Sequence, residues 1–166
     1  MAAETLIVSE RLDLTLISCE ELEELAAEEG SLFLFKLRLP IIRENPENNK
    51  WLFRRIFLKN TDTEIGLMSF HGIPDNEGRI EIGLHIEEEH QNQGFATEAV
   101  ITLFSWACNQ DEVRLLRYTV AETNAPSMRI IEKLGFTHIG QQIDEEDGPE
   151  EIFEMDKATF KLKFMD

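Results

Sequence analysis

Positive charge is scarce in this chain: 16 Lys and Arg stand against 33 Asp and Glu in 166 residues, a formal net charge of -17. Gripping a nucleic-acid backbone needs a clustered basic surface to neutralise phosphates, so no nucleic-acid partner is expected. Cysteine is nearly absent. Cys19 and Cys108 lie far apart, with no Cys-x-x-Cys pair and no His spaced around them, which excludes a disulfide scaffold and a zinc site. Two reduced thiols and no metal are the expectation. With 9 Gly and 5 Pro the chain is neither collagen-like nor a low-complexity coil. No apolar run approaches the roughly 20 residues of a membrane span, so no membrane partner is expected. Met1 to Arg11 carries Glu4 and Glu10 rather than a basic start and an apolar core, so a cytoplasmic protein without a secretory signal is the default.

What is present is the composition of a folded globular protein, 42% hydrophobic and 30% charged, of a length that suits one domain over residues 1–166. Leu6, Val8, Leu12, Leu14 and Leu16 follow the period of two of a half-buried strand. Ser18 and Glu21 have capping-box spacing, and Leu22, Leu25 and Ala26 then recur at helical intervals up to Gly30. From Ser31 to Lys50, Phe33, Phe35 and Leu37 mix with Pro40 and Pro46. That stretch reads as a short helix or turn-rich segment entering a further helix near Trp51.

Three strand-like runs follow, Arg55 to Leu58, Ile65 to Ile73 and Arg79 to Ile86, separated by turn clusters, and they predict an antiparallel meander. The period then changes. Ala99, Val100, Leu103, Phe104, Ala107 and Cys108 share one helical face within 93–110. Leu115 to Val120 reads as a strand, and Asn124 to Leu134 as a helix stopped by Gly135. Thr137 to Ile143 and Glu151 to Met155 read as two last strands around an acidic turn. The order predicts an α+β (mixed α/β) fold in one layered sheet.

Between the run ending at Ile86 and the helix after it lies Gln91-Asn92-Gln93-Gly94-Phe95-Ala96. Its amides sit at a helix N-terminus, where unpaired N–H groups and the helix dipole favour an anion, and Gly94 and Ala96 leave room for close approach. No Gly-x-Gly-x-x-Gly, no P-loop and no Gly-x-Ser-x-Gly elbow competes with it.

Gln-x-x-Gly-x-Ala after a strand, Thr97-Glu98-Ala99, another strand, then Asn124-Ala125-Pro126-Ser127 and Glu132-Lys133-Leu134-Gly135-Phe136 resembles the GNAT acyl-CoA-dependent N-acetyltransferases. Glu10-Arg11-Leu12 and the Ser127 form of the second motif look most like the branch of ribosomal-protein N-terminal (Rim-type) acetyltransferases. The resemblance implies a twisted, mostly antiparallel sheet with flanking helices and a V-shaped splay after His85. It further implies that Asn92, Gln93, Gly94, Phe95, Ala96 and Thr97 wrap the pyrophosphate of acetyl-CoA. Leu84, His85 and Ile86 then admit the pantetheine, with a backbone N–H near His85 or Ile86 as oxyanion donor. Asn124, a helix N-cap by its type, also gains a pantetheine contact, and Arg129 and Lys133 are the cations that could face the phosphates.

The implied reaction moves the acetyl group to a primary amine: a protein N-terminus first, then a small polyamine or an amine-bearing antibiotic. The enzyme is expected as a monomer or homodimer. Many relatives place a Tyr seven residues after the motif Asn, where this chain has Ile131, which excludes that acid; Ser127 is the replacement this branch offers. The Glu that some relatives place five residues before the Asn is Thr119 here. Glu81, His85 and His71 remain as candidate bases, the two His because imidazole titrates near neutrality. With the usual Tyr and Glu both missing, an acyl-CoA-binding module of the same fold without efficient catalysis is the alternative.

Overall fold

Leu12 and Leu14 alternate with Asp13 and Thr15 in a strand, as the pattern predicts, but the run from Leu6 to Leu16 is a hairpin. β1 (Leu6–Val8) and β2 (Leu12–Leu16) pair antiparallel, with Ile7 opposite Leu14. Ser9 breaks the run: its amide donates to the Leu12 carbonyl at 3.0 Å and its hydroxyl accepts from the Leu12 amide at 3.2 Å. The structure, a computed structural model, describes residues 5–165. Met1 to Glu4, part of the segment read as lacking a signal pattern, lie outside the described residues, as does Asp166.

α1 (Cys19–Ala27) starts where Ser18 accepts from the Glu21 amide. The stretch after Ser31 is α2 (Phe33–Glu44) and then a 3-10 turn, Pro46–Trp51. Trp51 therefore ends a turn rather than opening a helix, because Asn45 caps the Glu47 amide at 3.0 Å and starts that turn five residues too early. β3 (Arg54–Leu58), β4 (Glu64–Phe70) and β5 (Arg79–Ile86) form the expected meander. α3 (Phe95–Cys108), β6 (Leu115–Ala121), α4 (Ala125–Leu134), β7 (Thr137–Asp144) and β8 (Gly148–Asp156) follow. A last helix, α5 (Lys157–Phe164), was not expected; Asp156 caps it through the Thr159 amide at 2.8 Å, and Phe160 is fully buried beneath it.

The eight strands make one sheet in the order β1-β2-β3-β4-β5-β6-β8-β7. Neighbouring residues on a strand face opposite sides. Met68 accordingly packs into a cluster with α3, α4 and α5, and Leu67 against a smaller cluster of α1 and α2 that includes Leu22, Phe35 and Leu39. Among the described residues only β5 and β6 run parallel, and their pairing stops at Ile82 opposite Tyr118. Each strand continues with its outer partner, β5 with β4 as far as Ile86 and β6 with β8 as far as Ala121. The V therefore opens after Ile82, three residues before the expected position at His85. At the closed end, Glu154 of β8 accepts from Arg79 of β5 at 3.0 Å and from Arg117 of β6 at 2.6 and 2.7 Å.

Candidate functional site

The diverging ends of β5 and β6 leave a groove of about 330 Å³, closed on its sides by the first turns of α3 and α4. Leu84, His85 and Ile86 line it from β5, and Asn92, Gly94, Phe95, Ala96 and Thr97 from the turn and helix that follow. Asn124, Ser127, Arg129 and Lys133 line the α4 side. Twelve of the fifteen residues singled out in the sequence thus meet in one place. The pieces separated in sequence converge because both helices begin at the ends of the two strands that split.

Gln93, Glu81 and His71 are the exceptions. The Gln93 side chain turns back to the Glu89 carbonyl at 3.4 Å, while its own carbonyl accepts from Arg11 at 3.0 Å, so it serves the turn rather than the groove. Glu81 alternates with Ile82, which is in the core under α3, and so lies on the opposite face of the sheet.

The turn before α3 has the shape an anion needs. Asn92 (φ 63°) and Gly94 (φ 82°) are both left-handed, a conformation that Asn tolerates and Gly adopts freely and that backbone anion nests use. Gly94 is the N-cap and has no side chain to spend on the first-turn amides of α3. A Cβ there would lie 3.3 Å from Arg11 Nη2. Arg11 comes from the segment between β1 and β2; its Nε donates to Glu98 at 2.7 Å and its guanidinium lies 4.4 Å from the Phe95 ring centroid. Gln91 donates to the Ile86 carbonyl at 2.8 Å, tying the turn to the strand tip. Sequence reasoning missed both links, since each joins residues by side chain rather than by pattern. On α4, Asn124 is the N-cap as expected, accepting from the Ser127 amide at 3.2 Å. Arg129 and Lys133 are exposed and, among the described residues, make no ion pair.

The other face of β4 and β5 carries the titratable groups. His71 Nδ1 lies 2.8 Å from Glu81 Oε2. A Cβ on Gly83 would sit 2.9 Å from His71 Nε2, so that nitrogen faces the first β5 residue beyond the parallel pairing. The buried Arg38 of α2 donates to Ser69 Oγ at 2.9 Å and to the Phe70 carbonyl at 3.1 Å. Burial pulls its guanidinium down to about 10, and the nearby Glu81 carboxylate pulls the other way. His85 is 69% exposed, with its nearest acid, Glu87, 3.9 Å away. It has none of the orientation that His71 has. Of the two thiols, Cys108 is buried and pushed up to about 11 by that burial, which suits packing rather than reaction.

Residues 20–137 match the model of the acetyltransferase (GNAT) domain. The chain belongs to the GNAT acetyltransferase family. A GNAT relative, the uncharacterized N-acetyltransferase YjdG of Bacillus subtilis (strain 168), is 31% identical over 99 residues, 51% of this chain and 59% of its own. The chain spans about half the length of the curated relatives it matches. Its GNAT fold is similar to that of the ribosomal-protein-S5-alanine acetyltransferase from Vibrio fischeri, at TM-score 0.72 and 17% identity over 95% of this chain and all of that one. It is also similar to the ribosomal L7/L12 α-N-protein acetyltransferase RimL in complex with coenzyme A, at TM-score 0.66 and 16% identity over 91% and 97% of the two chains.

Proposed function

We propose that this chain is an acetyl-CoA-dependent N-acetyltransferase whose acceptor is a primary amine, a protein N-terminus before a small polyamine. The observation that carries this reading is the split between β5 and β6 after Ile82. It joins an anion cradle and two exposed cations on one face to an oriented His-Glu pair on the other. Acetyl-CoA is the acyl-donor substrate in this reading. Its pyrophosphate meets the amides of 92–97, Arg129 and Lys133 lie along its phosphates, and the pantetheine runs beside Leu84 to Ile86.

The chain's net charge of -17 repels a polyanion at long range. Binding rests on the local amides and these cations, while the same charge attracts a cationic acceptor. The unpaired edge of β5 beyond Ile82 supplies a backbone N–H for the carbonyl oxygen, a group commonly worth roughly 3 kcal/mol of barrier. His71 takes the ammonium proton through Nε2, with Glu81 fixing its ring at Nδ1. The N–C bond forms as the C–S bond breaks, the sulfur keeps the electron pair, and the second nitrogen proton balances the thiolate through water. In this reading Ser127, which lines the groove, hydrogen-bonds that sulfur. His85 drops out as a base in this account and remains a groove residue.

The test is an acceptor screen by mass spectrometry with acetyl-CoA, beside a calorimetric titration of coenzyme A. Transfer to peptide N-termini ahead of polyamines is expected. Tight coenzyme A binding with no transfer to any amine supports an acyl-CoA-binding module instead, and no binding at all removes both readings.

A further inference from the structure

α2 carries more apolar surface than the core uses. Phe35, Arg38, Leu39 and Ile42 face inward and are buried. Phe33, Leu34 and Leu37 are 66%, 42% and 55% exposed, and their helical spacing makes them a second stripe that runs on to Ile41. Contacts on the two flanks of α2 fix where that stripe lies. On one flank Arg43 meets Glu23 of α1 at 2.8 Å, and α1 lies toward β3, where Glu21 reaches Arg55. On the other, Arg38 donates to Ser69 and to the Phe70 carbonyl, and a Cβ on Gly72 would lie 3.6 Å from Ile41 Cδ1. Leu34 is one turn before Arg38, and Leu37 one turn before Ile41. The stripe therefore passes the end of β4 on the side away from α1, toward β5, where His71 meets Glu81.

The surroundings select an occupant. Glu81 and the net charge of -17 draw a cation to the border of the stripe, while its four side chains carry no charge. A linear polyamine would lay its second ammonium over that apolar surface, where it loses water and gains no partner. A polypeptide N-terminus brings one ammonium and then side chains. From Leu34 to Ile41 the stripe is about 10 Å long at roughly 1.5 Å per residue, the span of about three extended residues. It is far smaller than the roughly 20–30 residues a side of a standard protein–protein interface, so it suits a strand of chain rather than a second folded copy.

We infer that the α2 flank formed by Leu34, Leu37 and Ile41 determines acceptor specificity, selecting polypeptide N-termini whose second and third residues are large and apolar. This rests on the acetyl-transfer reading above and narrows its acceptor. The first residue stays beside His71, where its amine reacts, and the side chains that follow leave water against Leu34 and Leu37. Full burial of a leucine side chain favours binding by a factor of about 10 to 100, and an open flank delivers the lower end.

The test compares two short peptides with free terminal amines, identical except that residues two and three are Leu in one and Ser in the other. Wild type is expected to prefer the Leu peptide about 10-fold in kcat/KM and to take it ahead of a linear polyamine. The double variant Leu34→Ser, Leu37→Ser is expected to cut that preference to about 3-fold or less. Leu37→Lys is expected to improve transfer to a third peptide, with Asp at both positions, relative to wild type. Both leucines are exposed, so each Tm should move by no more than about 2 °C. Equal transfer to the Leu and Ser peptides, a preference that survives the double variant, a polyamine taken first, or a larger drop in Tm overturns the inference and leaves the acetyltransferase reading intact. So does a wild-type dimer that Leu37→Lys converts to a monomer in size-exclusion chromatography, because a second copy then covers the flank. A wild type inert toward every amine overturns the acetyl-transfer reading and this inference together.

Discussion

Arg11 and Glu98, 87 positions apart, are joined by two hydrogen bonds: Arg11 Nε donates to Glu98 Oε1 at 2.7 Å and the Arg11 amide to Oε2 at 2.8 Å. Ser9 Oγ adds a third, at 2.5 Å. A side chain before β2 thus braces the first turn of α3 and, through the Gln93 carbonyl, the turn ahead of it. The pair brings Glu10-Arg11-Leu12 and Thr97-Glu98-Ala99 together in space.

Glu98→Gln keeps the shape and removes the charge. Charged hydrogen bonds are worth about 1.5–3 kcal/mol, but Arg11 is 43% exposed and screening reduces this. A loss of about 1 kcal/mol, or roughly 2–4 °C in Tm, is expected, with weaker coenzyme A binding. Burial alone would raise the Glu98 carboxyl, but the bonds from Ser9 and Arg11 hold it below the usual carboxylate range. A depressed folded value stabilises above the unfolded value of roughly 4.3 and is lost as pH falls through the folded one. The gap in Tm between wild type and Glu98→Gln is therefore expected to close in acid, and melts between neutral pH and about pH 3 measure it.

Gly94→Glu is expected to abolish coenzyme A binding by calorimetry, because its carboxylate enters the anion cradle. Part of the effect belongs to the backbone: at φ 82° any other L-residue is strained by roughly 1–2 kcal/mol. Gly94→Ala separates the two, with a lower Tm but measurable binding. Equal affinity in wild type and Gly94→Glu would show that the turn is only a connection.

His71→Gln is expected to lower kcat about 100-fold or more, the low end of what a positioned base supplies. Acetyl-CoA affinity should not move, since the pair lies across the sheet from the groove. If Glu81→Gln falls alone while His71→Gln stays active, the carboxylate itself is the base.

Arg38→Met removes a buried charge and keeps a long apolar stem against Phe53. Met cannot donate to Ser69 Oγ or to the Phe70 carbonyl, and a buried group left without its donor costs about 1–3 kcal/mol, so Tm should fall by roughly 2–10 °C. Turnover of the protein that remains folded should fall too, because Glu81 loses a cation. A lower Tm with unchanged turnover below the melt would make Arg38 a structural residue alone.

Much of this was legible. Ser18, Asn124 and Gly135 are local signals whose meaning needs no tertiary contact, and their helices begin or end where those residues stand. In the sequence α2 reads only as a short helix or turn-rich segment, because Leu32 offers no capping side chain, Pro40 interrupts, and exposed Phe33 and Leu37 blur the apolar stripe. α5 carried a signal that went unread, the Asp156 cap three residues before Thr159. The candidate site divides similarly. Motif residues converge on the groove because each lies next to a strand end, whereas the pairing of His71 with Glu81 depends on register and on which strand lies beside which. No spacing along the chain encodes that.

Glu154 staples the closed end of the open sheet. Arg79 and Arg117 are both fastened to its carboxylate, and the parallel ladder holds β5 to β6 from Arg79 as far as Ile82, so the strands do not part before that pair. From Ile82 to the tip of β5 at Ile86 is four residues, a free arm of about 13 Å at roughly 3.3 Å each. The reacting end is therefore a short arm rooted in a ladder and an ion cluster, and its reach is set at the root rather than along the whole strand.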